Sequence, residues 1–208
     1  GVHFLVPCGT TGESPSLSHR EKVRVTELVV QATNGQVPVL AGAGSYDTQT
    51  AVQLVADMAK TGVNGILSVT PFYNKPTQEG LYRHFETIAS STDLPVVLYN
   101  VPSRTGCNIQ PATLARLAVV PNIVGIKEAS GNLLQMCEIC RLIPENFSVL
   151  AGDDAFTLPL IALGGQGVIS VVANETPAEM TNLVNLANTA KFQEARQVHE
   201  QLLPLMQV

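Results

Sequence analysis

"NIVGIKEAS", Asn122 to Ser130, decides how the chain is read. Four of the five residues ahead of Lys127 are apolar or glycine. That is the pattern of a parallel strand buried on both faces under a cover of helices. An ammonium group at the end of such a run sits where desolvation costs most.

Working outward, the same kind of run recurs as "FLVPCGTT" from Phe4, "VPVLAGAG" from Val37, "GILSVTPF" from Gly65 and "PVVLYNVP" from Pro95. "FSVLAGDD" from Phe147 and "GVISVVAN" from Gly167 follow it. The spacing is roughly 20 to 33 residues, the size of one βα unit. The segments between are amphipathic helices with legible ends. "SHRE" at Ser18–Glu21 has the form of a capping box, and so does "TPAE" at Thr176–Glu179, with Pro177 at the first helical position. Gly62 reads as a C-terminal stop. Pro159 makes the helix of "AFTLPLIAL" short, bent or late in starting. From Pro177 onward two helices are expected, with a break near Asn188 to Lys191.

Seven strands in βα order point to an α/β barrel or an open doubly wound sheet. The uniform repeat, and the lack of a Gly-rich dinucleotide fingerprint after the first strand, favour the barrel. A barrel of this kind has eight strands, and the chain starts almost in a strand at Gly1-Val2-His3-Phe4. The reading therefore expects a strand and a helix upstream, in a longer chain.

The 208 residues are 45% hydrophobic and 14% charged, enough apolar surface for one sizeable core. A net charge of −5 without blocks of like charge argues against nucleic acid or an anionic membrane as partner. No apolar run reaches bilayer length and no signal-peptide pattern opens the chain, so the cytoplasm is the expected compartment. Cys8, Cys107, Cys137 and Cys140 do not suggest a disulfide framework. Cys137 and Cys140 form a C-x-x-C inside a helical pattern, without a second pair or a His cluster, and are expected to pack as small apolar side chains rather than bind zinc.

On a barrel, function lies at the carboxyl ends of the strands. Those ends read "CGTTGES", "GAGSYD", "TPFYNKP", "YNVPSRTG", "KEASGN", "AGDD" and "SVVANE". Hydroxyls, phenols, one arginine and one lysine converge, which is a poor donor set for a metal and a poor one for a pair of catalytic acids. Of the five lysines, Lys22, Lys60 and Lys191 fall on helices or their ends, and Lys75 in a polar loop. Only Lys127 ends an apolar strand. Burial lowers an amine's pKa, and a neutral amine forms a Schiff base with a carbonyl. The alternative is an ion pair with Glu128 or Asp153. Strand alternation turns Glu128 to the other face, while a bridge to a neighbouring strand stays open. "GGQG" at Gly164–Gly167 precedes the last run, on the face opposite the mouth, and reads as a helix-to-strand turn rather than a phosphate cradle.

With "GTTGES", "TPFYN", "YNVPSRTG", "GIKEASGN", "GDD" and "GGQGVISV" in this order and spacing, essentially the whole chain resembles the dihydrodipicolinate synthases. These belong to the pyruvate-dependent class I aldolases, which also include N-acetylneuraminate lyase. The resemblance implies a (β/α)8 TIM barrel with a C-terminal helical extension, and a condensation of pyruvate with aspartate 4-semialdehyde in lysine and diaminopimelate biosynthesis. It implies no metal, and no cofactor beyond the covalent Schiff base with pyruvate. Residues 1–176 would be strands 2 to 8 with their helices, and 177–208 the final barrel helix and the start of the extension, with further helices beyond Val208.

The resemblance also implies roles. Lys127 matches the Schiff-base lysine, Tyr99 the tyrosine that shuttles protons, Thr10 the threonine that links that phenol to a second tyrosine, and Tyr73 that second tyrosine. The Tyr73 counterpart comes from a neighbouring subunit, so the implied assembly is a homo-oligomer: a dimer at least, and a tetramer as a dimer of dimers. Thr11 matches the residue that binds the pyruvate carboxylate, with glycines on either side of the threonine pair allowing close approach. Arg104 matches the guanidinium that clamps the semialdehyde carboxylate. Ile169 matches a residue whose main-chain carbonyl faces the site, and Gly152 lies near it. Two other readings remain: a related pyruvate aldolase acting on a sugar acid or sialic acid, which Arg104 disfavours, and an inactive relative that kept the fold.

Some members of this family are inhibited by lysine between subunits. His19 and Ser14 match that pocket, but Lys22, Tyr46 and Thr50 stand where regulated enzymes carry His, Asn and Glu, and Phe72 replaces a tyrosine. Feedback is therefore expected to be weak or absent.

Overall fold

A computed structural model describes residues 1–207. The buried runs become six strands: β1 (Leu40–Gly42), β2 (Gly65–Val69), β3 (Val96–Asn100), β4 (Ile123–Glu128), β5 (Ser148–Ala151) and β6 (Gly167–Val168). All pairings are parallel, and the strands stand in the sheet in chain order. Helices connect them: α1 (His19–Thr33), α2 (Thr48–Ala59), α3 (Gln78–Ser90), α4 (Pro102–Thr105), α5 (Pro111–Leu117), α6 (Leu133–Leu142) and α7 (Thr157–Ala162). After β6 come α8 (Pro177–Asn188) and α9 (Phe192–Met206), with Thr189–Lys191 between them, where the break was expected.

The seventh run, "FLVPCGTT", does not become a strand. It pairs with the β1 segment through a single parallel bridge, Leu5 to Val39, supported by three backbone bonds. Pro7 has no N–H to continue a ladder, and Cys8 turns the chain away with φ +57°.

Alternation along the strands sorts side chains into two cores. Ile66, Val96, Leu98, Ile126 and Val149 face outward and pack with Leu81, Phe85, Ile88, Leu114, Met136 and Ile139 of the helices. Each fully buried side chain of this size contributes about 1.5–3 kcal/mol of transfer free energy. Leu40, Leu67, Val69, Val97, Tyr99, Leu150 and Ile169 face inward, and Phe4 and Val6 join the same cluster. Residues from both edges of the sheet thus meet in one cluster, which requires the sheet to be curled. A third cluster binds α7, α8 and α9 through Ile161, Met180, Leu183, Ala195 and Leu202.

The helix ends follow their sequence signals with one exception. Ser18 and Glu21 form the capping box of α1. Gly62 takes φ +87° two residues beyond the C-cap of α2. α7 starts at Thr157, so Pro159 falls in its first turn. Thr176 is the exception. Pro177 opens α8 as expected, but the Thr176 side chain does not cap it and turns back to the Val172 carbonyl. Cys140 is half-buried against the main core, whereas Cys137 is exposed on α6, so only one of that pair packs as expected. Gly164 takes φ +110° in the turn from α7 to β6, as the "GGQG" reading requires. Among the described residues, no helix is long and apolar enough to cross a membrane.

Candidate active site

Lys127 and Tyr99 occupy the same rung of the β3–β4 ladder, on the inner face of the curled sheet. The Lys127 amine lies 4.4 Å from the centre of the Tyr99 ring. Lys127 is 7% exposed and Tyr99 5%. Among the described residues no carboxylate stands within ion-pairing distance of the amine. Burial brings its pKa down from 10.5 to about 8, with the Arg104 charge acting in the same direction and the Asp154 carboxylate opposing both. An amine so placed is partly neutral near pH 7 and has a free lone pair.

Room for this side chain comes from Gly152, just past β5. A Cβ there would stand 3.1 Å from Cγ and Cε of Lys127 and 2.6 Å from the Ala129 Cβ. A second glycine places the opposite wall: a Cβ on Gly42 would fall 2.1 Å from the Cys8 carbonyl oxygen. This close approach sets the turns of Gly9–Glu13 over the mouth, where the Thr10 hydroxyl donates to the Tyr99 phenol oxygen at 3.4 Å. Thr11, beside it, is exposed.

A cavity of about 340 Å³ opens from Tyr99 and Thr10 toward Ser14, Lys22, Phe72 and Arg104. Arg104 stands on α4, whose first residue is Pro102, and among the described residues it makes no ion pair. Ile169 is buried in the cluster of Tyr99, its N–H bonded to the Ala151 carbonyl at 2.9 Å. The chain thus brings Lys127, Tyr99, Thr10, Gly152 and Ile169 together, with Arg104 at the rim of the mouth. It does not bring Tyr73 to them. That residue is 91% exposed, with φ +72°, a strained conformation for a non-glycine residue.

Two carboxylates matter beyond the roles read from sequence, which named Glu128 only as a possible ion-pair partner of Lys127 and passed over Asp154. Asp153, the expected alternative partner of Lys127, caps Ala155 instead. It is the next residue, Asp154, whose charge reaches the amine. Buried Asp154 accepts from the Ser170 hydroxyl and from the N–H groups of Val171 (2.9 Å) and Val172 (3.2 Å), holding the segment that follows Ile169. Glu128 is fully buried on the outer face, turned away from Lys127 as alternation requires. The one signal available for either was an acidic residue at the end of an apolar strand.

The model of the Dihydrodipicolinate synthetase family matches residues 1–208. The 4-hydroxy-tetrahydrodipicolinate synthase of Syntrophus aciditrophicus is 52% identical over 206 residues, covering 99% of this chain and 71% of the relative. The crystal structure of dihydrodipicolinate synthase from Aquifex aeolicus superposes with a TM-score of 0.97 at 44% identity, covering 100% of this chain and 71% of that one. The Acinetobacter baumannii dihydrodipicolinate synthase, solved in complex with pyruvate, superposes with a TM-score of 0.97 at 38% identity, covering 100% and 71%. On its sequence and its fold alike, the chain belongs to the dihydrodipicolinate synthetase family.

Proposed function

We propose that the protein condenses pyruvate with aspartate 4-semialdehyde through a Schiff base on Lys127, supplying the dihydrodipicolinate precursor of lysine and diaminopimelate biosynthesis. The observation that carries this is the desolvated Lys127 amine held over the Tyr99 ring and, among the described residues, without an ion pair, within a chain whose relatives are named for this reaction. Its nitrogen attacks the pyruvate keto carbon and water leaves, giving an iminium. The iminium is an electron sink, so the pyruvate methyl loses a proton and becomes an enamine carbon. That carbon bonds to the aldehyde carbon, and the oxygen formed there takes a proton. The amino group of the semialdehyde then attacks the iminium carbon and displaces Lys127. This chemistry calls on no cofactor besides the covalent adduct.

Tyr99 and Thr10 carry the protons, joined by their hydrogen bond. Thr11 and the turn around it receive the pyruvate carboxylate, with the Ile169 carbonyl and Gly152 bordering the adduct. Arg104, which lines the cavity, clamps the carboxylate of the semialdehyde. Tyr73 completes the proton chain of a partner subunit, in a dimer at least and a tetramer of paired dimers. Its exposure and its strained backbone support that placement. We read the curled sheet as an arc of a (β/α)8 barrel over residues 1–176, with 177–208 opening a helical extension. The working compartment is the cytoplasm, in keeping with four free thiols.

The test is to reduce the protein with borohydride in the presence of pyruvate and locate the modified residue by mass spectrometry. The adduct is expected on Lys127, and turnover with the semialdehyde but not with a sialic acid. An adduct on another residue, or none, removes the proposal.

A further inference from the structure

We infer that Glu128, on the helix side of β4, is a positioning residue: through Asn100 it holds Tyr99 opposite Lys127, and through Asn108 and Gln135 it ties in the loop that carries Arg104. This rests on the proposed Schiff-base role of Lys127 and deepens it.

Asn100 and Glu128 pair on the rung next to Tyr99 and Lys127, and both are fully buried. Alternation sends the phenol and the amine inward and sends the amide and the carboxylate outward. Asn100 Nδ2 donates to Glu128 Oε2 at 2.9 Å and to Asn108 Oδ1 at 2.8 Å, while Asn100 Oδ1 accepts from the Ile109 N–H at 3.0 Å. Asn108 and Gln135 exchange two bonds, of 2.7 and 3.0 Å. Glu128 Oε1 accepts from the Ser130 N–H at 2.8 Å and from Gln135 Nε2 at 3.5 Å. One carboxylate therefore joins β3, β4, the loop after each of them, and α6.

Burial pushes the Glu128 carboxyl up from its ordinary pKa, and its hydrogen bonds pull the other way. Every group that faces it donates, so its bonds require no proton of its own. A charge in this layer costs stability that an apolar side chain would not. What it provides is polarity: with a pure acceptor at one end, each amide in the network has a single orientation. A glutamine would set its NH2 against either the Ser130 N–H or Asn100 Nδ2. Turning Asn100 over would relieve that conflict and create another, with the Ile109 N–H.

The experiment compares wild type with Glu128→Gln and with Asn100→Asp/Glu128→Gln. The double variant exchanges donor and acceptor across the rung, and the Asn108 and Gln135 amides turn over to meet the carboxylate now at position 100, at the cost of the 3.5 Å contact alone. Turnover, the KM of each substrate, the rate of borohydride trapping with pyruvate, and the melting temperature are read for all three. In E128Q, kcat and the trapping rate are expected to fall about 10- to 100-fold, as for a displacement of reacting groups by a fraction of an ångström to one ångström. Its pyruvate KM is expected to stay near that of wild type, and its melting temperature to fall by a few degrees, the cost of one unmatched buried donor. The double variant is expected to recover most of the lost kcat, which a loss of packing alone would not allow. E128Q turning over within about twofold of wild type overturns the inference, since misplacement on this scale is costly. So does a loss that the exchange does not reverse. Wild type that traps pyruvate while E128Q traps it equally well defeats the inference alone, whereas wild type that traps none defeats the Lys127 reading and this one with it.

Discussion

Tyr99 and Lys127 face each other across neighbouring parallel strands, with the amine 4.4 Å from the ring centre and, among the described residues, no carboxylate paired to it. The strand that delivers the lysine is also what strips it of solvent, so its position and its reactivity have one cause. The consequence shows first in pH. With burial holding the amine at about 8, the trapping rate with pyruvate is expected to rise about tenfold per pH unit below that value and level off above it. Arg104→Ala removes a charge that lowers the pKa and shifts the rising limb to higher pH; Asp154→Asn shifts it to lower pH. Trapping rates measured from pH 6 to 10 check both directions, and a limb that stays near 10.5 in wild type contradicts them.

The same burial has a stability cost. The folded-state pKa lies below the unfolded value of 10.5, so between about 8 and 10.5 the folded protein binds fewer protons than the unfolded chain. Stability contributed by this group therefore rises with pH through that window, and below it the cost is fully present, at about 3 kcal/mol as an upper figure. Lys127→Met is expected to abolish trapping while raising the melting temperature at pH 7. An inactive variant that also melts lower would mean that the amine has stabilising partners.

Arg104 is separated from the first half of the reaction by chemistry. Pyruvate bonds to Lys127 before the aldehyde enters, so Arg104→Ala is expected to raise the semialdehyde KM about 10- to 100-fold, the worth of a charge-assisted contact. At a pH above the shifted limb, trapping of pyruvate is expected to remain. Steady-state kinetics beside trapping checks this, and loss of both together would assign Arg104 to the Schiff-base step.

The elements legible in the sequence are those whose signal is local. Isoleucine and glycine around Lys127 announce a strand buried on both faces, and Ser18 with Glu21 announces the start of α1. What stayed hidden depends on distant partners. Thr10 and Tyr99 bond across 89 positions, and the Glu128 network draws on Asn100, Asn108 and Gln135. The loss of the first run as a strand turns on Pro7 and on Cys8 at positive φ, a tertiary choice that composition does not reveal. Thr176 carries the pattern of a cap, but its hydroxyl finds the Val172 carbonyl instead. Tyr73 was placed at the site by resemblance alone, and in this chain it points to solvent.

That exposure makes a test of assembly possible. Tyr73→Phe leaves a chain with its own Lys127, and Lys127→Ala leaves one with its own Tyr73. Each alone is expected to be weakly active or inactive. Co-expressed, mixed dimers would hold one complete site each, so about a quarter of wild-type activity is expected from random pairing of a twofold dimer. Activity no greater than that of the separate variants would place Tyr73 outside the partner's site.

Inhibition by lysine is expected to be weak or absent. Lys22 lines the cavity that also reaches Ser14 and Phe72, so the ammonium of a free lysine would meet a like charge there. Thr50 offers it no carboxylate, and both its N–H and its hydroxyl are bonded to Asp47 at the cap of α2, at 2.8 and 2.7 Å. Tyr46 packs edge-on against Phe72, with ring centres 5.5 Å apart, and offers no amide there. Millimolar lysine should therefore lower initial rates little or not at all, while Lys22→His/Thr50→Glu should introduce sensitivity by removing one cation and adding one anion. Strong inhibition of the wild type would show that an anion elsewhere on the assembled protein holds the ligand, and the argument from Lys22 and Thr50 would fail.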